Sequence, residues 1–160
     1  MAESKYIQDH MPGNVCFGCG PHNPEGLQIK SYRDGDEVVA VWESEEKYHG
    51  WEKIINGGIL ATLIDCHSMA TALDAAYRAE DRPVGSDPVY RYATGTITVR
   101  YLKPTPNDRP ITLRARTLSM SGRKSRVECK VFVDGELTAE ADVIGIRVYE
   151  GEAEDESLFT

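Results

Sequence analysis

Gly57-Gly58 at the start of a long apolar stretch, with Asp65 eight positions after Gly57, is the densest concentration of chemistry in this 160-residue sequence. Two glycines at a helix start let the backbone approach a ligand and leave amide donors unpaired. Such donors, at the positive end of a helix, suit a carbonyl oxygen that becomes an oxyanion. Asp65 falls in the middle of the same stretch. A carboxylate among apolar neighbours is costly unless it is paired or used. Two readings follow for it: a structural Asp bonded to a backbone group or an arginine, or a reacting group. Eight residues of helix cover roughly 12 Å, so Asp65 is out of reach of a carbon held by the amides of its own helix start. If both serve one reaction, they come from different subunits.

Cys16-Phe17-Gly18-Cys19, with His22 close behind, resembles half of a zinc site. A structural zinc needs four ligands, and the sequence has no second CxxC and no HxxxH. His10, His49 or the Cys66-His67 pair would complete the set only by folding together. The expectation is therefore no metal, with a glycine-rich turn holding half-buried thiols. A zinc- or redox-active interaction module on Cys16, Cys19 and His22 is the competing class. The remaining cysteine is Cys129, and four in a chain of this length do not argue for a disulfide framework. Cys66 reads as a core residue. His67 stands two positions from Asp65, on roughly the opposite helix face, and reads as a packed histidine.

The elements that must position these residues follow from periodicity. Residues 1–25 lack it and carry several prolines and glycines, which reads as an arm with a short helix near Lys5–His10. Leu27–Tyr32 alternates and meets Asp34-Gly35-Asp36, a hairpin signal completed by Val38–Trp42. Residues 43–55 read as a polar loop carrying His49-Gly50-Trp51. The one long helical pattern runs from Gly57 to about Ala79 and is rich in small residues, which allow close backbone packing. Four strand-like runs follow: Tyr92–Leu102, Ile111–Ser119, Arg123–Val133 and Leu137–Tyr149. Their separators include Ser121-Gly122 and Asp134-Gly135, both turn chemistries. The expected architecture is α+β: a six-stranded antiparallel sheet with one helix on one face, spanning 26–149, and an acidic tail over 150–160. The uncovered face or edge strand calls for a second copy.

Charge bounds the partners. Eighteen Lys and Arg against 26 Asp and Glu give a net −8, which argues against nucleic-acid binding through overall charge. Yet residues 91–130 carry +8 and the remainder −16, so one face is expected to meet an anion. No apolar run approaches the roughly 18 residues of a membrane span, and the first residues lack a signal-peptide pattern. The expected location is the cytoplasm, with no membrane partner and no cofactor.

The motifs Cys16-Phe17-Gly18-Cys19-Gly20 through Asn23-Pro24-Glu25-Gly26-Leu27, then His49-Gly50-Trp51, Asn56-Gly57-Gly58…Asp65 and Arg100-Tyr101-Leu102-Lys103-Pro104 resemble the PaaI-like branch of the hotdog-fold acyl-CoA thioesterases. The resemblance spans about residues 14–148. It implies a sheet wrapped around the helix and sites at a dimer interface, in a dimer or a dimer of dimers. It also implies roles. Asp65 matches the general base or nucleophile, and the amide of Gly57 (or Gly58) matches the oxyanion donor. Asn56 stands where many members have His, so a hydrogen-bond donor remains but not a proton carrier. Thr94 matches a hydroxyl that orients the water or the carboxylate, with Thr96 as its substitute. His49 and Trp51 become candidate pocket residues. Lys103, Arg123, Lys124 and Arg126 become candidate contacts for the phosphates of coenzyme A. The activity implied is hydrolysis of an acyl-CoA thioester. A non-hydrolytic acyl-CoA binder is the alternative, and a hydratase ranks below both for want of an Asp–His pair.

Overall fold

The structure, a computed structural model, describes residues 3–153. Strands β1 (Ser31–Asp34) and β2 (Glu37–Trp42) form a hairpin whose turn uses Gly35 at φ 62°. A short ribbon, β3 (His49–Trp51) with β4 (Ile54–Ile55), leads into helix α1 (Gly57–Ala79). Then come β5 (Val89–Tyr101), β6 (Ile111–Ser121), β7 (Lys124–Val133) and β8 (Glu136–Gly151). Excluding the ribbon, six strands make one antiparallel sheet in the order β1-β2-β6-β7-β8-β5.

The alternating pattern explains which sheet face is dry. In β7, Ser125, Val127, Cys129, Val131 and Val133 are buried while Lys124, Arg126, Glu128 and Lys130 point away. The inward set packs against Leu60, Leu63, Ile64 and Ala72 of α1. Ala70, Ala72 and Ala76 are also buried, and these small side chains let the helix settle closely on the curved sheet. His67 is fully buried. Its Nδ1 meets Ser31 Oγ at 2.8 Å and its Nε2 meets Val38 O at 2.9 Å, and burial pulls its pKa down to about 4. It is the packed histidine expected.

Some boundaries move for identifiable reasons. Leu27 and Ile29 do not join the sheet, because their amides bond Phe17 O and Gly18 O of the arm. Gln28 between them takes φ 52°, so the hairpin strand starts only at Ser31. The arm is thus an ordered layer, with a 3₁₀ turn at Ile7–His10. The 43–55 segment holds the ribbon as well as loop. Strand β8 continues to Gly151, where Glu150 and Gly151 pair with Tyr90 and Val89, inside the stretch read as tail. Residues 154–160 of that tail lie outside the described residues. Among the described residues, no helix is long and apolar enough to cross a membrane.

Candidate active site

The expected site residues fall into two separate groups along β5 (Val89–Tyr101), one at the middle of the strand and one at its last residue. At the middle of β5 Thr94 donates its hydroxyl hydrogen to Asp65 Oδ1. Asp65 is half-buried, and desolvation pushes its carboxyl above the usual range, opposing the effect of the Thr94 bond. Thr94 is opposite Gly145 of β8, next to a bulge at Gly95. The same part of the sheet holds the β6–β7 turn, since Ser125 also faces Gly145.

At the last residue of β5 stands the start of α1. Asn56 caps it: its side-chain oxygen accepts from Gly58 N at 2.8 Å and Ile59 N at 3.1 Å. The Gly58 amide is therefore used by the cap. The Gly57 amide has no partner among the described residues, which makes it the open donor of the pair. The Asn56 carboxamide NH₂ is likewise free to donate. Tyr101, from the end of β5, lies over this helix start and donates to Gly57 O at 2.7 Å. Sequence reasoning quoted Tyr101 in a motif but assigned it no role at the site, because nothing in the local pattern ties it to Gly57. Burial raises its pKa.

Asn56→Ala is expected to cost about 1 kcal/mol of stability. Asn56→Ser, which keeps a cap, is expected to cost much less. Urea unfolding of the two variants measures the difference.

The other expected site residues scatter. The ribbon brings His49 close to Asn56, whose amide bonds Tyr48 O at 2.8 Å. Trp51 is 81% exposed and walls nothing within this chain. Thr96 is exposed on β5, opposite Ile144. The basic block is not a bare positive face. Arg100 pairs with Glu140, Lys103 with Glu136, Arg109 with Asp108 and Asp134, and Arg126 with Asp142. Arg114, Arg116 and Lys130 also have acids nearby. Asp108 and Glu128 lie within the basic stretch and enter its count, whereas Glu136, Glu140 and Asp142 of β8 and Asp34 and Glu37 of the hairpin come from outside it and escape a linear count.

Arg123 and Lys124 alone of the four expected phosphate contacts have no ion-pair partner among the described residues. Nor do all four share one place. Lys103 follows Tyr101, which faces Ala139 of β8, whereas Lys124 faces Ile146. Seven strand residues separate those positions by roughly 23 Å. In one chain, Lys103 belongs to the helix-start end and Arg123-Lys124 to the Asp65 end.

Among solved structures, a thioesterase superfamily protein from Shewanella loihica matches with TM-score 0.63 and 26% identity, over 76% of this chain and 91% of its own. The chain has the hotdog fold of the thioesterase superfamily. Two further solved structures extend the likeness. The PaaI protein from the phenylacetic acid degradation operon of E. coli has TM-score 0.63 and 12% identity, over 78% of this chain and 83% of its own. A Streptococcus mutans protein bound to acetyl CoA has TM-score 0.61 and 14% identity, over 78% and 91%. No family model matches the chain, and no curated protein matches it.

Proposed function

We propose that two copies of this chain hydrolyse an acyl-CoA thioester at a site that neither copy completes alone. The observation that carries this reading is the separation of the half-sites. A half-buried carboxylate held by Thr94 sits at the middle of an edge strand, and an unpartnered helix-start amide sits seven residues on, beside Tyr101 at the strand's end. Strand β5 is that edge. From Ala93 to Thr98 it is exposed, and its outer hydrogen-bonding side is open. A long open edge is a template for pairing with another chain. A second copy pairing antiparallel along β5, with Thr94 of one opposite Tyr101 of the other, puts the two-fold axis between Ile97 and Thr98. Asp65 of one copy then approaches Gly57 of the other, twice per dimer.

The chemistry follows from the groups. Asp65 takes a proton from water as the water oxygen attacks the thioester carbon, or attacks that carbon itself and is released by water afterwards. The carbonyl oxygen becomes an oxyanion and accepts from the Gly57 amide, with the Asn56 NH₂ alongside. Collapse expels the coenzyme A sulfur as thiolate. A thiol with pKa near 8.5 leaves without being protonated, so Asn56 in place of a proton-carrying His does not block the reaction. The acetyl CoA held by the S. mutans protein supports the ligand class.

The unpaired Arg123-Lys124 turn lies at the Asp65 end and is suited to the nucleotide phosphates of coenzyme A. Arg123→Glu with Lys124→Glu is expected to raise KM for acyl-CoA about tenfold with kcat little changed. The effect should shrink in high salt. Steady-state kinetics at two ionic strengths check it.

Thiol release from a panel of short, long and aromatic acyl-CoAs tests the function, and no release from any of them overturns it. Asn56 favours a second reading, an acyl-CoA binder without turnover. Calorimetry that finds tight binding of an ester left intact selects that reading.

A further inference from the structure

The cluster that the thioesterase reading leaves unused lies one residue beyond Asp65. Cys16 and Cys19 of the arm meet Cys66 of α1, with all three sulfurs within 4.8 Å of one another. Cys16 Sγ and Cys66 Sγ are 3.7 Å apart. Zinc–thiolate bonds of about 2.3 Å at tetrahedral angles set neighbouring sulfurs about 3.8 Å apart. We infer that Cys16, Cys19 and Cys66 form a three-thiolate site for a thiophilic d¹⁰ cation, zinc first, that fastens the arm to the helix carrying Asp65.

Nitrogen donors already point at two of the three sulfurs. Gly18 N donates to Cys16 Sγ at 3.4 Å, and the Asn14 side-chain amide donates to Cys19 Sγ at 3.6 Å. Donors of this kind orient and stabilise the ligands of a metal. Both glycines of the Cys-Phe-Gly-Cys-Gly run are sterically required. A Cβ at Gly18 would overlap Cys66 Sγ, and one at Gly20 would overlap the backbone of Val15 and Cys16.

The chain path makes the same point, because Leu27 N and Ile29 N bond the carbonyls of Phe17 and Gly18 and hold the turn against the sheet. Cys16 is exposed whereas Cys19 and Cys66 are buried, so a fourth ligand, water or an external donor, enters from the Cys16 side. His22, the third member of the competing metal reading of the sequence, is not among the clustered groups. Of the distant groups that folding could bring to the half-site, it is Cys66, 47 residues beyond Cys19, that joins it.

The cation displaces the thiol protons into solvent, and no electron moves. Because the folded arm brings the ligands together, binding stabilises the folded chain. The test uses the full-length reduced protein, stripped with chelator and titrated with Cd²⁺ and then with Zn²⁺. One Cd²⁺ per chain is expected, with thiolate-to-cadmium charge-transfer absorption in the ultraviolet, displaced competitively by Zn²⁺. Zn²⁺ is also expected to raise the thermal midpoint. Cys66→Ala, and separately Cys16→Ser at the exposed position, should weaken binding by more than the roughly 10–100-fold that loss of an outer-shell partner costs. His22→Ala should bind like the parent. No charge-transfer band in the folded, reduced protein overturns the inference, as does binding that neither cysteine variant weakens. If the reduced protein takes up no metal and mild oxidation with a disulfide reagent links Cys16 to Cys66, the cluster is a redox pair and the metal site is refuted.

Discussion

Asp65→Asn is expected to lower acyl-CoA hydrolysis by about 10²–10⁴-fold, the range that removal of a positioned base costs, while KM changes little. The substitution isolates proton transfer from packing. The carboxamide is close to isosteric with the carboxylate, and its oxygen can still accept from Thr94. It cannot take a proton from water, nor attack the thioester as a carboxylate would. Thiol-release kinetics give the rate, and sedimentation with circular dichroism shows whether the assembly and fold persist. A variant that folds like the parent and keeps its full rate refutes the role given to Asp65.

The same substitution has a stability signature with a definite sign. Burial raises the folded-state pKa of Asp65 above its ordinary value of 3.8. The folded chain therefore binds that proton more tightly than the unfolded chain does. Between the two pKa values the unfolded state holds fewer protons, so stability falls as pH rises through that window and stays lower above it. Asp65→Asn removes this penalty, and its urea midpoint at neutral pH should equal or exceed the parent's. A catalytic group held at a cost to stability behaves this way, whereas a structural Asp paired for stability would show the reverse. With chelator present, the acid limb of kcat/KM should fall above the ordinary carboxylate range.

The features written in local pattern were legible in the sequence, and those that depend on distant segments were not. Gly57 and Ala79 bound α1 as the periodicity predicts, because apolar spacing and the Asn56 cap are local signals. Asp134-Gly135 makes its turn with both residues at positive φ, as a Asp-Gly hairpin requires. The 12 Å argument from Gly57 to Asp65 needed only helix rise. Three things escaped. Cys66 joins Cys16 and Cys19 through the docking of an aperiodic arm, which no spacing rule encodes. Tyr101 reaches Gly57 from a strand 44 residues on. The +8 block is largely neutralised because Glu136, Glu140 and Asp142 of β8, and Asp34 and Glu37 of the hairpin, stand near its bases. A linear count sees charge along the chain, whereas a sheet pairs it across strands. Asn56 was legible as a residue type, but its capping role decides which glycine amide stays open.

That distinction supplies the sharpest remaining experiment, Gly57→Pro. Proline has no N–H, so it deletes the proposed oxyanion donor and nothing else at that atom. The first helical position is where a helix tolerates proline best, since its N–H has no intrahelical partner. Asn56 before it already has φ −59° and ψ 131°, in the extended region that a residue preceding proline prefers. A Cβ at position 57 would lie 3.6 Å from the Tyr101 ring, ordinary contact. The helix and its cap should therefore survive, while kcat falls about 10²–10³-fold, the loss typical of one oxyanion-hole donor. Gly57→Ala adds the same Cβ but keeps the amide, and should retain most of the rate. If both variants fold and lose activity equally, space beside Tyr101 rather than the amide is what matters. If Gly57→Pro keeps full rate, the oxyanion is stabilised elsewhere. Mixing Gly57→Pro with Asp65→Asn adds a test of the shared site. Each variant alone is impaired, but a hybrid dimer pairs the intact Asp65 of the first with the intact Gly57 of the second. About half the mixed chains form hybrids at equal exchange, each with one complete site, so activity should return to roughly a quarter of the parent's. No recovery after verified subunit exchange would mean that Asp65 and Gly57 do not act together across a dimer.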